Sequence, residues 1–105
     1  FIRLGGEGAS AIFALPKELK PGRYAVMLFA VTSWDYGIVQ WTLDDQPLGE
    51  RMDSYTPNVL RRAVTASQVT LSEGEHRLRV EAVSRNPQST GYCAGLDAIL
   101  FHRIE

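Results

Sequence analysis

Three segments of the sequence combine aromatic side chains with amide, carboxylate and guanidinium groups. Aromatic faces can stack on the C–H face of a pyranose ring, and charged or bidentate groups can hydrogen-bond its hydroxyls. The residues that fit this chemistry are Trp34, Asp35, Tyr36, Tyr55, Arg85, Asn86, Gln88 and Tyr92. The alternative for each residue is a structural role, since polar groups in loops often satisfy the backbone and rings often pin loops to a rim.

Catalytic motifs are absent from the sequence. It holds no Gly-x-Ser-x-Gly nucleophile elbow and no phosphate-binding loop. A glycosidase would need two carboxyl groups facing each other across a cleft, and Asp35 and Asp53 are the pair that loops could bring together. Because nothing else in the sequence supports such a pair, we predict no catalytic residue and no enzymatic activity for this chain itself.

Metal and cofactor sites are not predicted either. His76 and His102 fall in separate strands without the spacing of zinc ligands, and we expect His76 at an edge of the core. The alternative that remains open is a calcium ion held by Glu7, Asp35 or Asp97 with backbone carbonyls, although no spacing here is diagnostic of calcium.

The bulk composition indicates one small globular domain. The 105 residues are 45% hydrophobic and 22% charged, with a formal net charge of −1. That balance excludes a disordered chain and gives no basic surface for nucleic acid or an anionic membrane. Cys93 is the one cysteine of the sequence, so no disulfide forms within the chain, and its place in an apolar strand favours a buried thiol. No stretch approaches the roughly 20 apolar residues that span a bilayer.

Short apolar runs separated by turn signals predict an all-β fold. Their rhythm is typical of an antiparallel β-sandwich of jelly-roll type, with about eight strands. The predicted strands are Phe1–Leu4, Ala11–Leu15, Gly22–Thr32, Tyr36–Leu43, Gln46–Gly49, Ala63–Leu71, His76–Val83 and Cys93–His102. We expect Tyr36–Leu43 to pair with Gly22–Thr32, and Asp44–Asp45 to turn the chain back.

Strand direction predicts where the candidate residues lie. If consecutive strands run antiparallel, residues 33–35, 50–62 and 84–92 all connect strands at the end where Gly22–Thr32 finishes, which we call the upper end. The connections at the lower end are short and polar. Since binding residues concentrate on loops held by a rigid scaffold, the upper end is the predicted site.

The predicted central strand Gly22–Thr32 is apolar on both of its faces. Beside the core-facing alternation, it carries Met27, Phe29 and Val31 on the opposite face. Either another segment of the chain covers that face, or a further domain or subunit does, because exposed apolar patches mark contact surfaces. The second alternative predicts a homo-oligomer formed through these three residues.

Several motifs resemble those of galactose-binding-like jelly rolls and carbohydrate-binding modules. Pro21–Tyr24 reads Pro-Gly-x-Tyr before an apolar strand, and Leu71–Val80 looks like their Leu-x-x-Gly-x-His-x-Leu-x-Val strand. Asp35–Gln40 and Gly95–Asp97 are similar to the middle and closing segments of such domains. The hairpin departs from the pattern, with Asp44–Asp45 in place of Asp-Gly. The Glu-rich calcium signature of several sugar-binding families is not recognisable.

This likeness covers roughly residues 20–102 and is nearest to the C-terminal β-sandwich accessory domain of bacterial glycoside-hydrolase-type proteins. The resemblance implies a module that binds a glycan, is joined to a catalytic domain in the same polypeptide, and belongs to a secreted or periplasmic protein. The alternative is a docking or oligomerisation domain with no sugar binding of its own. Since the chain begins at Phe1 rather than methionine, we expect residues 1–105 to be a single domain taken from a larger protein.

Overall fold

The chain folds into two antiparallel sheets packed face to face. The computed structural model describes residues 2–15, 19–57 and 61–104, and the side chains of residues 61–63 lie outside this description. The strands in the described residues are β1 (Ile2–Leu4), β2 (Ser10–Ala14), β3 (Gly22–Thr32), β4 (Ile38–Leu43), β5 (Gln46–Pro47), β6 (Met52–Asp53), β7 (Arg61–Leu71), β8 (Arg77–Ser84) and β9 (Tyr92–Arg103). The all-β sandwich predicted from the sequence is confirmed, with nine described strands where about eight were expected.

Apart from β4, β5 and β6, strands that follow one another in the sequence lie in opposite sheets. One sheet runs β1-β9-β3-β7, and the other runs β2-β8-β4-β5 with β6 also paired to β4. The expected pairing of β4 with β3 is therefore wrong, because the connection after β3 crosses to the opposite sheet. Alternation in a strand shows which side chains face the core, but it does not show from which sheet they do so.

The core lies between the two central strands of the sheets. Val26, Leu28 and Ala30 of β3 face Trp41 and its neighbours on β4, and all of them are buried. The remaining core side chains come from the strands beside them and include Leu71, Leu78, Val80, Ala82 and Ala94. Burying a large apolar side chain contributes about 1.5–3 kcal/mol, so this layer fixes the two sheets against each other.

The three long connections meet at the upper end, as the strand directions predict. Thr32 at the end of β3 pairs with Arg61 at the start of β7, and Val31 pairs with Gly95 near the start of β9. In the other sheet, Ile38 at the start of β4 pairs with Ser84 at the end of β8. The loops that follow β3, precede β7 and precede β9 therefore share one rim.

A β-bulge in β9 sets which side chains face the core near that rim. Phe29 pairs with Ala98, but Ala30 pairs with Leu96, so Asp97 is the extra residue on β9. One extra residue reverses the alternation beyond it. As a result Leu96 faces the core, and Cys93 comes to lie on the outer side of the sheet beneath the β3–β4 connection.

The outer face of the four-stranded sheet carries the apolar side chains predicted for β3. Met27 pairs with Ala66 and Leu100, while Phe29 pairs with Val64 and Ala98. These six residues form two adjacent apolar rows across β7, β3 and β9, which we call the apolar face. Met27, Val64 and Leu100 are 41%, 52% and 54% exposed.

Val31, the third residue predicted on this face, is half-buried near the upper end. A Cβ added at Gly95 would lie 3.0 Å from Tyr36 Oη and 3.1 Å from Val31 Cβ, so Tyr36, Gly95 and Val31 meet there. Val31 is therefore covered by another segment of the chain, which is the first of the two alternatives for this face.

Across the described residues, no helix is present that is long and apolar enough to cross a membrane.

Candidate binding site at the upper end

Backbone hydrogen bonds tie the β3–β4 connection to the segment after β6. Ser33 and Tyr55 form an isolated parallel bridge. Ser33 N–H donates to the Ser54 carbonyl at 3.0 Å, and Thr56 N–H donates to the Ser33 carbonyl at 3.0 Å. Both bonds hold Ser33, so they fix the backbone immediately before Trp34 at the rim.

The same connection is held from its other side by the start of β9. Cys93 N–H donates to the Asp35 carbonyl at 3.1 Å, and Gly37 N–H donates to the Cys93 carbonyl at 3.0 Å. Ser89 is buried, and its hydroxyl donates to the Tyr36 carbonyl at 2.7 Å. The loops predicted to gather at the upper end are thus joined by direct hydrogen bonds.

A shallow depression of about 340 Å³ opens between these loops and β1. Its lining includes Arg3, Trp34, Asp35, Thr90, Gly91 and Tyr92. Trp34 is 54% exposed, so its ring is available to a ligand. Such exposure is notable because an indole ring is costly to leave in water. An exposed ring beside a carboxylate and a guanidinium can take both the apolar face and the hydroxyls of a sugar.

Burial and Asp35 together keep the thiol of Cys93 protonated. Cys93 Sγ lies 3.6 Å from Asp35 Oδ2, to which the thiol donates a hydrogen bond. Loss of water and the negative charge of Asp35 raise the pKa of Cys93, while the nearby Arg3 opposes that rise. The pKa of Tyr36 is also raised, first by burial and then by Asp35. A neutral thiol therefore interacts with both Arg3 and Asp35.

Arg85 contacts Tyr92, which lines the depression, and is held in place by the loop before β9. Its Nη1 donates to the Ser89 carbonyl at 2.7 Å, and its Cζ lies 5.8 Å from the centroid of the Tyr92 ring. A guanidinium at that distance from a ring is attracted to its electron-rich face. This contact orients Tyr92 and brings a second positive charge to the rim.

The candidate Asn86 organises its own loop and a neighbouring one. Asn86 Nδ2 donates to Asp53 Oδ2 at 2.8 Å, and Asn86 Oδ1 accepts from Gln88 N–H at 3.0 Å. Asp53 Oδ1 in turn accepts from Tyr55 N–H at 3.1 Å. Asn86 therefore has a structural role in holding the two loops together. Both carboxylate oxygens of Asp53 accept hydrogen bonds from these loops.

The predicted site residues divide into three groups in the structure. Trp34, Asp35 and Tyr92 line one depression, with Arg85 on the Tyr92 ring. Tyr55, Asn86 and Gln88 form the adjoining loop cluster around Asp53. Tyr36 requires a correction, because it is 5% exposed and packs against Gly95, so its ring offers no stacking face. That the remaining residues touch a sugar stays a prediction.

Arg3 and Thr90 also line the depression, although the sequence did not predict them as site residues. Arg3 pairs with Cys93 across β1 and β9, which places it beside the β3–β4 connection. The sequence feature that points to Arg3 is the alternation of Ile2, Arg3 and Leu4, in which the charged residue faces away from the core. That pattern is common in edge strands, and what Arg3 lies beside depends on which strand pairs with β1. Among the described residues, no three His, Cys, Asp or Glu side chains converge as metal ligands would.

Comparisons with known proteins bear on the fold. No family model and no curated protein matches the sequence. The chain is similar in fold to one segment of a Paenibacillus xanthan lyase. The two superpose with a TM-score of 0.73 at 23% identity, over 91% of this chain and 9% of the lyase chain. The chain thus spans about a tenth of the length of this structural neighbour.

Proposed function

We propose that this chain is a non-catalytic accessory module of a carbohydrate-active enzyme and that it binds a glycan at the upper-end depression. The observation that carries the proposal is the 54% exposed Trp34 ring, set beside Asp35 and Tyr92 by hydrogen-bonded loops. Rigid placement matters because a preformed site loses less conformational entropy when a ligand binds. Asp35 and Arg3, which line the same depression, supply an acceptor and donors for sugar hydroxyls.

The fold comparison supports the proposal that this module belongs to a carbohydrate-active enzyme. A chain of 105 residues matches a segment of a polysaccharide lyase that makes up 9% of the lyase. We propose by analogy that the module is joined to a catalytic domain and acts outside the cytoplasm, as the motif resemblance also implies. Such a module would raise the local concentration of its catalytic partner on a polymeric substrate. The galactose-binding-like assignment remains part of the proposal.

Substitution of Trp34 tests the proposed site. Trp34→Ala removes the exposed ring but leaves its backbone hydrogen-bonding neighbours in place, and we expect glycan affinity to fall by at least about tenfold. The measurement is a glycan array followed by titration calorimetry on the best ligand. Ile12→Ala is the matched control, because Ile12 is 57% exposed and lies on the other sheet. Equal affinity of wild type and Trp34→Ala for the best ligand would contradict the proposal.

A second candidate function follows from the apolar face. We propose that the face packs against a second copy of the chain. The apolar face lies within the outer surface of β3, β7 and β9, which are 11 to 12 residues long. That whole surface presents roughly 500 Å² at the usual strand rise and spacing, so two copies packed over it would bury roughly 1,000 Å². That area reaches the lower limit for specific association, so the dimer would be weak. Met27, Val64 and Leu100 would form its apolar centre.

The oligomeric state tests this second candidate. We expect light scattering to show a mass that rises with concentration in the micromolar range, because the interface is small. Met27→Ser with Leu100→Ser should leave a monomer, while Ile12→Ser, which removes an equally exposed side chain elsewhere, should not change association. A wild-type monomer at millimolar concentration would exclude the dimer and leave the glycan proposal unaffected.

A further inference from the structure

The cations at the upper-end depression carry an inference about the class of sugar. Arg3 lines the depression and is exposed, and Arg85 lies over the ring of Tyr92, which forms part of the wall. Asp35 is the carboxylate within the lining. Arg3 and Asp35 are thus the charged residues of the lining, and Arg85 brings a second guanidinium to the Tyr92 wall, although the whole chain has a formal net charge of −1.

Cys93 interacts with both charged residues of the lining. The thiol donates a hydrogen bond to Asp35 Oδ2, and Arg3 lies beside the sulfur from the neighbouring strand. Because burial and Asp35 hold the pKa of Cys93 above its ordinary value, the group next to Arg3 is neutral. Arg3 is thus an exposed cation that lines the depression beside an uncharged neighbour, and the thiol occupies one of the two carboxylate oxygens of Asp35.

On these grounds, and resting on the proposed function, we propose that the depression recognises an acidic sugar whose carboxylate pairs with Arg3 while its ring stacks on Trp34. A guanidinium presents two parallel N–H groups that match the two oxygens of a carboxylate. A pyranose uronic acid carries that carboxylate at the edge of the same ring whose C–H face an indole can cover. Asp35 then accepts hydrogen bonds from hydroxyl groups of the sugar, which a uronic acid retains.

The test compares acidic and neutral polymers with the 105-residue chain. Affinity electrophoresis uses polygalacturonate, a neutral galactan and dextran sulfate, and calorimetry follows with oligogalacturonides. We expect retention by polygalacturonate that weakens as salt rises, since a charged pair at a rim is screened. We expect less retention by dextran sulfate and by galactan, because neither presents a planar carboxylate.

Variants of Arg3 identify the contact. Arg3→Gln should lower the affinity for oligogalacturonides by about ten- to a hundredfold, the range for a hydrogen bond to a charged group. Arg3→Lys should recover part of that loss, because it keeps the charge without the two-pronged geometry. Arg77→Gln removes the same charge near the Asp44–Asp45 turn, and it should bind as wild type does.

The outcomes separate this inference from the proposed function. If galactan binds as well as polygalacturonate and Arg3→Gln has no effect, the acidic-sugar inference is wrong and the glycan proposal stands. If Arg3→Gln and Arg77→Gln weaken binding equally, or dextran sulfate binds as tightly as polygalacturonate, the interaction is unspecific attraction and the inference is again wrong. If none of the polymers and no glycan on the array is bound, both proposals fall.

Discussion

Asp44 and Asp45 occupy the two central positions of the turn between β4 and β5, with φ values of 48° and 65°. Both residues are therefore left-handed, as a two-residue hairpin turn of this type requires. Asp44 also accepts from Arg77 N–H at 2.8 Å, and its other oxygen lies 2.6 Å from Nδ1 of the buried His76. Asp45 is exposed. Equal backbone geometry thus accompanies very different side-chain contacts.

Glycine should cost much more stability at position 44 than at position 45. Asp44→Gly removes the partners of a buried imidazole and a backbone amide, and we expect the free energy of unfolding to fall by about 1–3 kcal/mol. Asp45→Gly relieves left-handed strain at a small entropic cost, and we expect a change within about 0.5 kcal/mol of wild type or a gain. Chemical denaturation measures both. Equal losses would show that turn geometry, rather than the Asp44 carboxylate, stabilises this end.

Single residues also show what could be predicted of the site. Trp34, Asp35 and Tyr92 were predicted to lie together because strand direction brings their segments to one end, and the structure places all three in the lining of the depression. The burial of Tyr36 could not be predicted, since it depends on a close approach at Gly95 that is fixed by the bulge at Asp97. The place of Arg3 in the lining could not be predicted either, because it depends on the pairing of β1 with the first residues of β9.

At the scale of elements, alternation and direction were predictable, but pairing was not. β3 and β8 alternate as their sequences indicate. The loops gather at one rim because direction reverses from β3 to β4, from β4 to β5 and again after β6, while β5 and β6 run the same way. The predicted neighbour of β3 was β4, whereas the structure gives it β7 and β9. The difference arises because local pattern determines a strand and its faces, while its partners depend on long-range packing.

The β9 bulge connects this element to the candidate site. Without the extra residue Asp97, Leu96 would point outward and Cys93 would point into the core, since a one-residue shift exchanges the two faces. The bulge thereby places Cys93 under Asp35 and beside Arg3, where its backbone also holds the β3–β4 connection. The position of the depression, and not only its composition, therefore depends on the β9 bulge.

At the scale of the whole molecule, two buried acids at the upper end link folding to pH. The pKa of Cys93 is raised above its ordinary value of 9.0 and that of Tyr36 above 10.0, in both cases first by burial and then by Asp35. The unfolded chain releases these protons near the ordinary values, whereas the folded chain holds them to higher pH. In that window the folded state binds more protons, so its stability decreases as pH rises.

We therefore expect the free energy of unfolding contributed by these two groups to be fully present below about pH 9 and lost as pH rises through their folded pKa values. Cys93→Val with Tyr36→Phe removes both titrations and keeps most of the buried volume, so its stability should fall less steeply between about pH 8 and pH 11 than that of wild type. Urea denaturation under reducing conditions measures the two curves. Lysine and other surface groups titrate alike in both proteins, and the difference between the curves isolates the buried pair. Parallel curves across this range would mean that Cys93 and Tyr36 ionise in the folded chain as they do in the unfolded one, and that the upper end is open to water.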